Sequence, residues 1–259
     1  MNLVTARDLK ALQATMMDVG KFSATMHHTL SLFRSTWNWA RKRQLISSDN
    51  PFLIMDRLKA EGKRERYFEP EELQLVLNWL KEKDASTFQL TLCAAHTGAR
   101  LGEIAHLTWD RVDFRAQQIN FVHTKSGKPR SVPMTKELIV MLKEIGKGLP
   151  SEPVFKQRTG TPWFTDRTGY RKTESPYFFR HAVEKLGLNE GHVRQTRLTF
   201  HCLRHTAATI LLTSGVDPRT VQEIMGWSTL RMLERYVHVM SETKRQAVNA
   251  LEGALSLAS

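Results

Sequence analysis

The hydrophobic positions of the chain follow the period of an α-helix over most of its length. Between Ser23 and Leu45, apolar side chains recur at alternating steps of four and three residues, at Met26, Leu30, Phe33, Trp37 and Ala40. This spacing predicts one amphipathic helix. A shorter helix is predicted from Thr5 to Met17, and the polar run Ser47-Ser48-Asp49-Asn50-Pro51 predicts the turn that ends the long helix.

A polar, charged stretch separates these helices from the rest of the chain. Residues 57–66 read RLKAEGKRER and contain Gly62, a composition typical of a linker. We therefore predict a small helical domain over residues 1–56, a linker over residues 57–66, and a second domain over residues 67–259.

The second domain shows helix boundaries at several points. Pro70 and the acidic residues after it predict a helix start. Ser86 is expected to cap the next helix, which ends at Gly98. Asp217-Pro218 and Gly226 bound a later helix. Further helices are predicted over residues 101–107, 135–147, 175–187, from Thr199 onward, 228–238 and 241–257.

Strand periodicity is confined to one region of the second domain, between Trp109 and Pro133. Ile119, Phe121 and His123 alternate with polar residues, and Lys125-Ser126-Gly127-Lys128 follow as a turn. This pattern predicts a β-hairpin with a basic tip. The predicted fold class is thus mainly α with a small antiparallel β-sheet (α+β), preceded by a short helical segment.

Composition narrows the classes of protein to which the chain can belong. Among its 259 residues there is no apolar run long enough for a membrane-spanning helix, and the N-terminus lacks the apolar core of a secretory signal. A cytoplasmic location is expected. Two cysteines, Cys93 and Cys202, exclude a disulfide scaffold and a four-cysteine zinc site. The net charge of +12 favours a polyanionic partner, most often nucleic acid.

His201, Arg204 and His205 are candidates for chemistry because their spacing puts them on one helix face. Two histidines four residues apart can bind zinc, but the glutamate of H-E-x-x-H is missing and Arg204 would bring a cation beside the metal. The histidines could also be structural. Alternatively, the arginine fork and its histidine neighbours could recognise a phosphate group.

Other candidates have an ordinary structural explanation when taken singly. Arg100 lies between Gly98 and Gly102, where backbone can approach a ligand closely, but arginines in turns are commonly solvated. Lys125 at a hairpin tip is equally well explained as a solvated side chain, and Tyr236 as part of a core.

These candidates and one further residue, Trp227, occur in a characteristic order, each in a distinct local context: Arg100, Lys125, His201, Arg204, Trp227 and Tyr236. The segments TGARLGEIAHLTWDRVDF (97–114), HTKSGKPRSVPM (123–134), HCLRHTAAT (201–209) and MGWSTLRMLERYVHV (225–239) resemble the tyrosine recombinase, or phage integrase, family. The resemblance covers about residues 67–250 and extends more faintly to 22–52. Trp227 stands where relatives usually carry His and sometimes Trp.

The resemblance implies a catalytic domain over residues 67–259 and a partial helical core-binding, DNA-clamping domain over residues 1–56. It implies a site-specific DNA recombinase that cleaves and rejoins strands through a 3′-phosphotyrosyl intermediate, without cofactor or metal. Tyr236 would be the nucleophile, Arg100 and Arg204 would hold the phosphate, and His201 would take the tyrosine proton. Lys125 would protonate the leaving oxygen and Trp227 would donate its indole N–H. Glu103 would orient its neighbours, and His205 would support the helix.

The implied partners are double-stranded DNA and three further copies of the chain, assembled as a homotetramer through the C-terminal helix 241–257. Accessory DNA-bending proteins and a bacterial, phage or mobile-element origin fit the same picture. Two alternatives stay open. One is a type IB topoisomerase-like enzyme that relaxes supercoils, and the other is a truncated, non-catalytic DNA-binding regulator.

Overall fold

The computed structural model describes residues 4–20, 23–54, 66–122, 128–163, 175–236 and 248–249. The chain divides into two units, residues 1–64 and 65–259. Lys125, nearly all of the predicted linker and nearly all of the predicted helix 241–257 lie outside the described residues. The domain limits drawn from the sequence therefore stay predictions.

In its described residues, the first unit contains two α-helices and a short 3-10 helix: α1 (Ala6–Asp18), α2 (Ser23–Lys42) and Pro51–Ile54. The predicted apolar face of α2 is confirmed where it matters for packing, since Met26, Trp37 and Ala40 are buried. Phe33 differs from the expectation. It is half exposed, and its ring stacks on that of Phe52 with centroids 6.4 Å apart.

The turn after α2 is held by the buried side chain of Asn50. Its Nδ2 donates to Oδ1 of Asn38 at 2.6 Å, and its own Oδ1 accepts the backbone N–H of Phe52 at 2.9 Å. Trp37 Nε1 also donates to the carbonyl of Ser48 at 3.4 Å. An asparagine that satisfies nearby backbone in this way is a turn former, and the predicted turn is confirmed.

The second unit is built around α4 and α8, which pack against each other and are buried on most sides. Helices α3 and α6 also pack on α4. Within the described residues up to Met225, the α-helices of this unit are α3 (Pro70–Lys83), α4 (Ala85–Thr97), α5 (Leu101–Ala105), α6 (Lys136–Ile145), α7 (Tyr177–Lys185), α8 (Phe200–Thr213) and α9 (Pro218–Met225). The structure describes no helix that is both long and apolar enough to cross a membrane.

One antiparallel sheet accompanies the helices, with strands in the order β1 (Val112–Asp113), β2 (Gln118–Phe121) and β3 (Arg130–Pro133). Ile119 faces Val112 on one side and Val132 on the other, and all three are buried. The predicted hairpin is confirmed by β2 and β3, and so is the fold class. Strand β1 was not predicted, because two residues are too few to show an alternating pattern.

Two local predictions are corrected by the structure. Helix α4 is capped by Asp84 rather than Ser86: Asp84 Oδ1 accepts the backbone N–H of Thr87 at 2.7 Å, and the Ser86 hydroxyl donates to the same oxygen. The segment predicted as a helix over 228–238 is a 3-10 helix from Leu230 to Tyr236. A 3-10 helix rises about 2 Å per residue instead of 1.5 Å, so the same residues reach farther.

The Asp84 cap is testable by substitution. Asp84→Ala removes the acceptor of an N-terminal N–H of α4 and should lower the free energy of unfolding by about 1–2 kcal/mol. For a chain of this size that corresponds to a melting temperature lower by roughly 2–4 °C per kcal/mol in thermal unfolding. Ser86→Ala is the matched control and should cost less. If Ser86→Ala lowered the free energy of unfolding more than Asp84→Ala does, Ser86 would be the capping residue.

Candidate active site

Arg204 is a buried cation on α8, and its residue is only 4% exposed. Its Nη1 donates to the carbonyl of Gly98 at 2.7 Å, and its Nη2 donates to the carbonyl of Met225. Gly98 has a left-handed backbone (φ 61°), and a Cβ there would lie 2.5 Å from the sulfur of Met225. Glycine is therefore required for the two carbonyls to meet the guanidinium.

Several charged groups surround the Arg204 guanidinium. Burial lowers the pKa of Arg204 to about 9, and the positive charges of Arg100 and Arg130 lower it as well, while Glu103 and Tyr236 act in the opposite direction. The group is still a cation at neutral pH. The guanidiniums of Arg100 and Arg130 thus lie close enough to affect the pKa of Arg204. Glu103 supplies a carboxylate among these charges.

Glu103 on α5 binds two of these arginines with its two carboxylate oxygens. Arg100 Nη1 is 2.8 Å from Oε1, and Arg130 Nη2 is 2.8 Å from Oε2. The backbone N–H of Arg100 also donates to Oε2, at 2.9 Å. Burial raises the pKa of Glu103, but Arg130 and Arg100 outweigh it and hold the pKa below its usual value. These contacts are compatible with the orienting role predicted for Glu103, which stays a prediction.

Arg130 is a member of the site that the sequence analysis missed. It lies on β3, its side chain is 7% exposed, and its Nε donates to the carbonyl of Ile224 at 2.9 Å. A Cβ on Gly226 would come within 2.8 Å of its Cδ. One signal was available: Arg130 is two residues before the buried Val132, so it faces inward on an alternating strand, where a charge needs a partner.

Trp227 and Tyr236 complete the arrangement beside Arg204. Trp227 lies two residues after the end of α9, and its ring stacks on that of Tyr236 with centroids 5.5 Å apart and planes 24° apart. The Arg204 Cζ lies 5.9 Å from the centroid of the Trp227 ring. Both aromatic residues are buried. Three predicted site residues, from α8, the end of α9 and the 3-10 helix, are therefore in one place.

The Tyr236 hydroxyl contacts His205 rather than lying open to solvent. His205 Nδ1 is 2.7 Å from the phenol oxygen, and its Nε2 is 3.1 Å from Nη1 of Arg235. Burial raises the pKa of Tyr236 to about 12, against the lowering effect of Arg235 and Arg204. Because both ring nitrogens of His205 are engaged, neither is available as a ligand for the zinc ion considered from the sequence.

The remaining predicted residues lie around this cluster or outside the described chain. Arg100 is the residue before α5, and its side chain is 27% exposed. His201 is exposed on the first turn of α8, and its ring centroid is 5.0 Å from that of His205. Lys125 belongs to residues 123–127, which are not described. A cavity of about 280 Å³ opens beside Trp227 and is lined by residues 128–130, 222, 223 and 226–228.

The shared carboxylate gives a stability test of this network. Glu103→Gln leaves two guanidiniums facing a neutral amide and should lower the free energy of unfolding by about 3–5 kcal/mol at neutral pH. Because the folded-state pKa of Glu103 is depressed, its contribution is complete above the ordinary glutamate pKa and is lost as pH falls through the folded value. The gap between wild type and variant in urea unfolding should therefore shrink in acid.

Glu137→Gln is the control for this test. Its carboxylate is 64% exposed and pairs with His96 at 3.3 Å, so its loss should stay within about 0.5 kcal/mol. Equal losses for the two variants, or a gap that does not narrow in acid, would contradict the role of Glu103 as the shared buried anion.

Comparison with known proteins agrees with the motifs and the fold. The phage integrase family model matches residues 66–243. The tyrosine recombinase XerC of Pediococcus pentosaceus is 27% identical over 253 residues, which cover 95% of this chain and 81% of the relative.

Solved structures of two integrases share the fold. The Tn1549 transposon integrase in complex with transposon right end DNA has a TM-score of 0.75 at 20% identity, covering 96% of this chain and 86% of that chain. A lambda integrase tetramer bound to a Holliday junction has a TM-score of 0.67 at 17% identity. The match covers 88% of this chain and 66% of that chain. The family predicted from the sequence is confirmed by the family match, and the chain belongs to the phage integrase family.

Proposed function

We propose that the cluster around Tyr236 is the catalytic site of a site-specific DNA recombinase. Tyr236 attacks the scissile phosphorus, forms a 3′-phosphotyrosyl link and frees a 5′-hydroxyl, which is nucleophilic catalysis by a side-chain oxygen. The observation that carries this proposal is the meeting of Arg204, Trp227 and Tyr236 from three separate elements. Membership of the family supports the same reaction class, a DNA strand breaking-and-rejoining enzyme.

Arg100 and Arg204 are proposed to bind the non-bridging oxygens of the phosphate. The transition state gathers negative charge on those oxygens, and preorganised charged donors stabilise it by roughly 3–4 kcal/mol each in well-studied sites. Arg100 is partly exposed, so DNA can reach it directly. Arg204 uses Nη1 and Nη2 for backbone carbonyls, and its other N–H groups stay available for the phosphate.

Three further roles complete the proposed reaction. His201, exposed beside His205, accepts the phenolic proton, since imidazole can do so near neutral pH. Lys125 protonates the departing 5′-oxygen. Trp227 donates its indole N–H to the phosphate. The pKa of about 12 that burial gives Tyr236 explains why a base is needed at neutral pH.

The recombinase function is preferred over both alternatives. Relatives named tyrosine recombinase or integrase favour it over a topoisomerase-like enzyme. Relaxation of a plasmid without any specific site, and without recombinant product, would support the topoisomerase. Tight binding without a covalent protein–DNA product would support the non-catalytic regulator.

The proposed partners are double-stranded DNA and other copies of this chain. The similar Tn1549 integrase was solved in complex with transposon DNA, and the similar lambda integrase as a tetramer bound to a Holliday junction. We propose a homotetramer on DNA through residues 241–257, with accessory DNA-bending proteins as further partners. The bacterial and phage sources of the relatives support a cytoplasmic location.

Covalent trapping tests the nucleophile. Incubated with a nicked suicide duplex, the wild-type chain should form a covalent protein–DNA band that resists denaturing electrophoresis. Tyr236→Phe lacks the attacking oxygen and should abolish the band while leaving DNA binding within about threefold. Tyr177→Phe, at a residue that is 63% exposed on α7, is the control and should trap normally. A band that persists with Tyr236→Phe would mean another nucleophile.

Salt dependence tests phosphate binding by Arg100. The logarithm of the binding constant should fall linearly with the logarithm of salt concentration, with a slope of about −0.9 per phosphate neutralised. Arg100→Gln should make the slope shallower by about 0.9. Lys156→Gln, whose ammonium pairs with Glu152 at 3.2 Å, should leave it unchanged. If the slope were the same in Arg100→Gln as in the wild type, Arg100 would not be one of the residues that bind phosphate.

A further inference from the structure

The hydroxyl group of Tyr236 ends a chain of polar side chains on its buried side. The phenol oxygen is 2.7 Å from His205 Nδ1, and His205 Nε2 is 3.1 Å from Arg235 Nη1. His205 is 6% exposed and Tyr236 is 4% exposed. Hydrogen bonds shielded from water in this way are electrostatically stronger than exposed ones.

The chemistry of arginine fixes the direction of both hydrogen bonds. A guanidinium has only donors, so His205 Nε2 must accept the hydrogen from Arg235. A neutral imidazole carries one hydrogen, which is then on Nδ1. Nδ1–H therefore donates to the phenol oxygen of Tyr236. An imidazolium would place its Nε2–H against the N–H of a cation, which the contact with Arg235 disfavours.

We propose that Arg235 and His205 are positioning residues for Tyr236: Arg235 holds His205 as the Nδ1–H tautomer, and His205 donates to the attacking oxygen and stabilises its phenolate. This inference rests on the proposed function of Tyr236 as nucleophile. It changes the role of His205, for which the sequence had suggested only support of the helix.

The proton balance of the reaction follows from the tautomer. Because Nδ1 already carries a hydrogen, His205 cannot take the phenolic proton at that atom. The O–H bond of Tyr236 breaks with its proton passing to the imidazole of His201. The phenolic oxygen then bonds to phosphorus as the bond from phosphorus to the 5′-oxygen breaks, and His205 keeps its own hydrogen throughout.

The charges around the phenol fit a site that favours the phenolate. Arg235 from the 3-10 helix and Arg204 from α8 both lower the pKa of Tyr236, against burial. A second imidazole, that of His201, packs edge-on against His205. A donor to the charged form adds to the lowering effect, so losing Arg235 removes both a charge and the orientation of the donor.

Nitrogen NMR on the DNA-free full chain tests the tautomer directly. With ¹⁵N-labelled histidine at pH 7, the His205 signals, assigned by their absence in His205→Asn, should be those of a neutral ring protonated at Nδ1. In Arg235→Met, which removes the donor, protonation should shift toward Nε2. Arg231→Met is the control, because Arg231 is 84% exposed on the same 3-10 helix, and it should leave the signals unchanged. A wild-type ring protonated at Nε2 or at both nitrogens overturns the proposal.

Cleavage kinetics on the nicked duplex test the consequence for Tyr236. His205→Ala and Arg235→Met should slow cleavage about 100-fold or more, the usual effect of removing one preorganised donor. In His205→Asn the amide N–H takes the place of Nδ1–H without any basicity, so it should recover most of the loss seen with alanine. No recovery with asparagine would indicate that His205 is the base and overturn the proposal.

A pH profile separates positioning from a structural effect. In Arg235→Met the pH at which cleavage becomes half-maximal should move upward, whereas an indirect structural defect would lower the rate at every pH by the same factor. The NMR result does not depend on catalysis. If Tyr236→Phe still traps DNA, the proposed function of Tyr236 fails. The NMR measurement still decides whether His205 is the Nδ1–H tautomer.

Discussion

The burial of the Arg204 guanidinium is the constraint on which the candidate site depends. A buried charge is tolerated only where hydrogen bonds replace water, and here the carbonyls of Gly98 and Met225 do so. Those carbonyls come two residues before Arg100 and two residues before Trp227. The Arg204 side chain fixes these two backbone segments against α8. It therefore also determines the positions of Arg100 and Trp227. The glycine at 98 follows from the same requirement, since any Cβ would push Met225 away.

The charge balance around that constraint is uneven. Arg100 and Arg130 share the carboxylate of Glu103, while Arg204 is satisfied by carbonyl dipoles that carry no net charge. The cluster therefore keeps an excess of positive charge in a partly dry environment, where electrostatic interactions are strong. An incoming phosphodiester would supply the missing negative charge, and the additional charge of its transition state would be stabilised more strongly than the ground state. The proposed recognition of phosphate would thus depend on how the second unit is packed.

Local patterns in the sequence predicted the helices and the family, but not the pairing of distant side chains. The helical period of α2 and the boundaries of α9 could be predicted because both are properties of neighbouring residues. The pair of Arg130 with Glu103 spans 27 residues, and no periodicity encodes such a partner. The choice of Asp84 over Ser86 as a cap failed for a different reason: both residue types cap helices, and only the path of the backbone decides between them.

The position of Tyr236 joins reactivity to stability. Tyr236 is the one buried residue of the 3-10 helix Leu230–Tyr236, so the proposed nucleophile is also the main anchor of its own segment. Burying a large side chain stabilises a structure by about 1.5–3 kcal/mol, so the packing of Tyr236 stabilises its segment and fixes its phenol together. The hydrogen bond with His205 and the stack on Trp227 hold the phenol near Arg204. Tyr236 is buried, and its ionisation is favoured only by the neighbouring cations Arg235 and Arg204. A buried tyrosine of this kind would be protected from reaction away from its target.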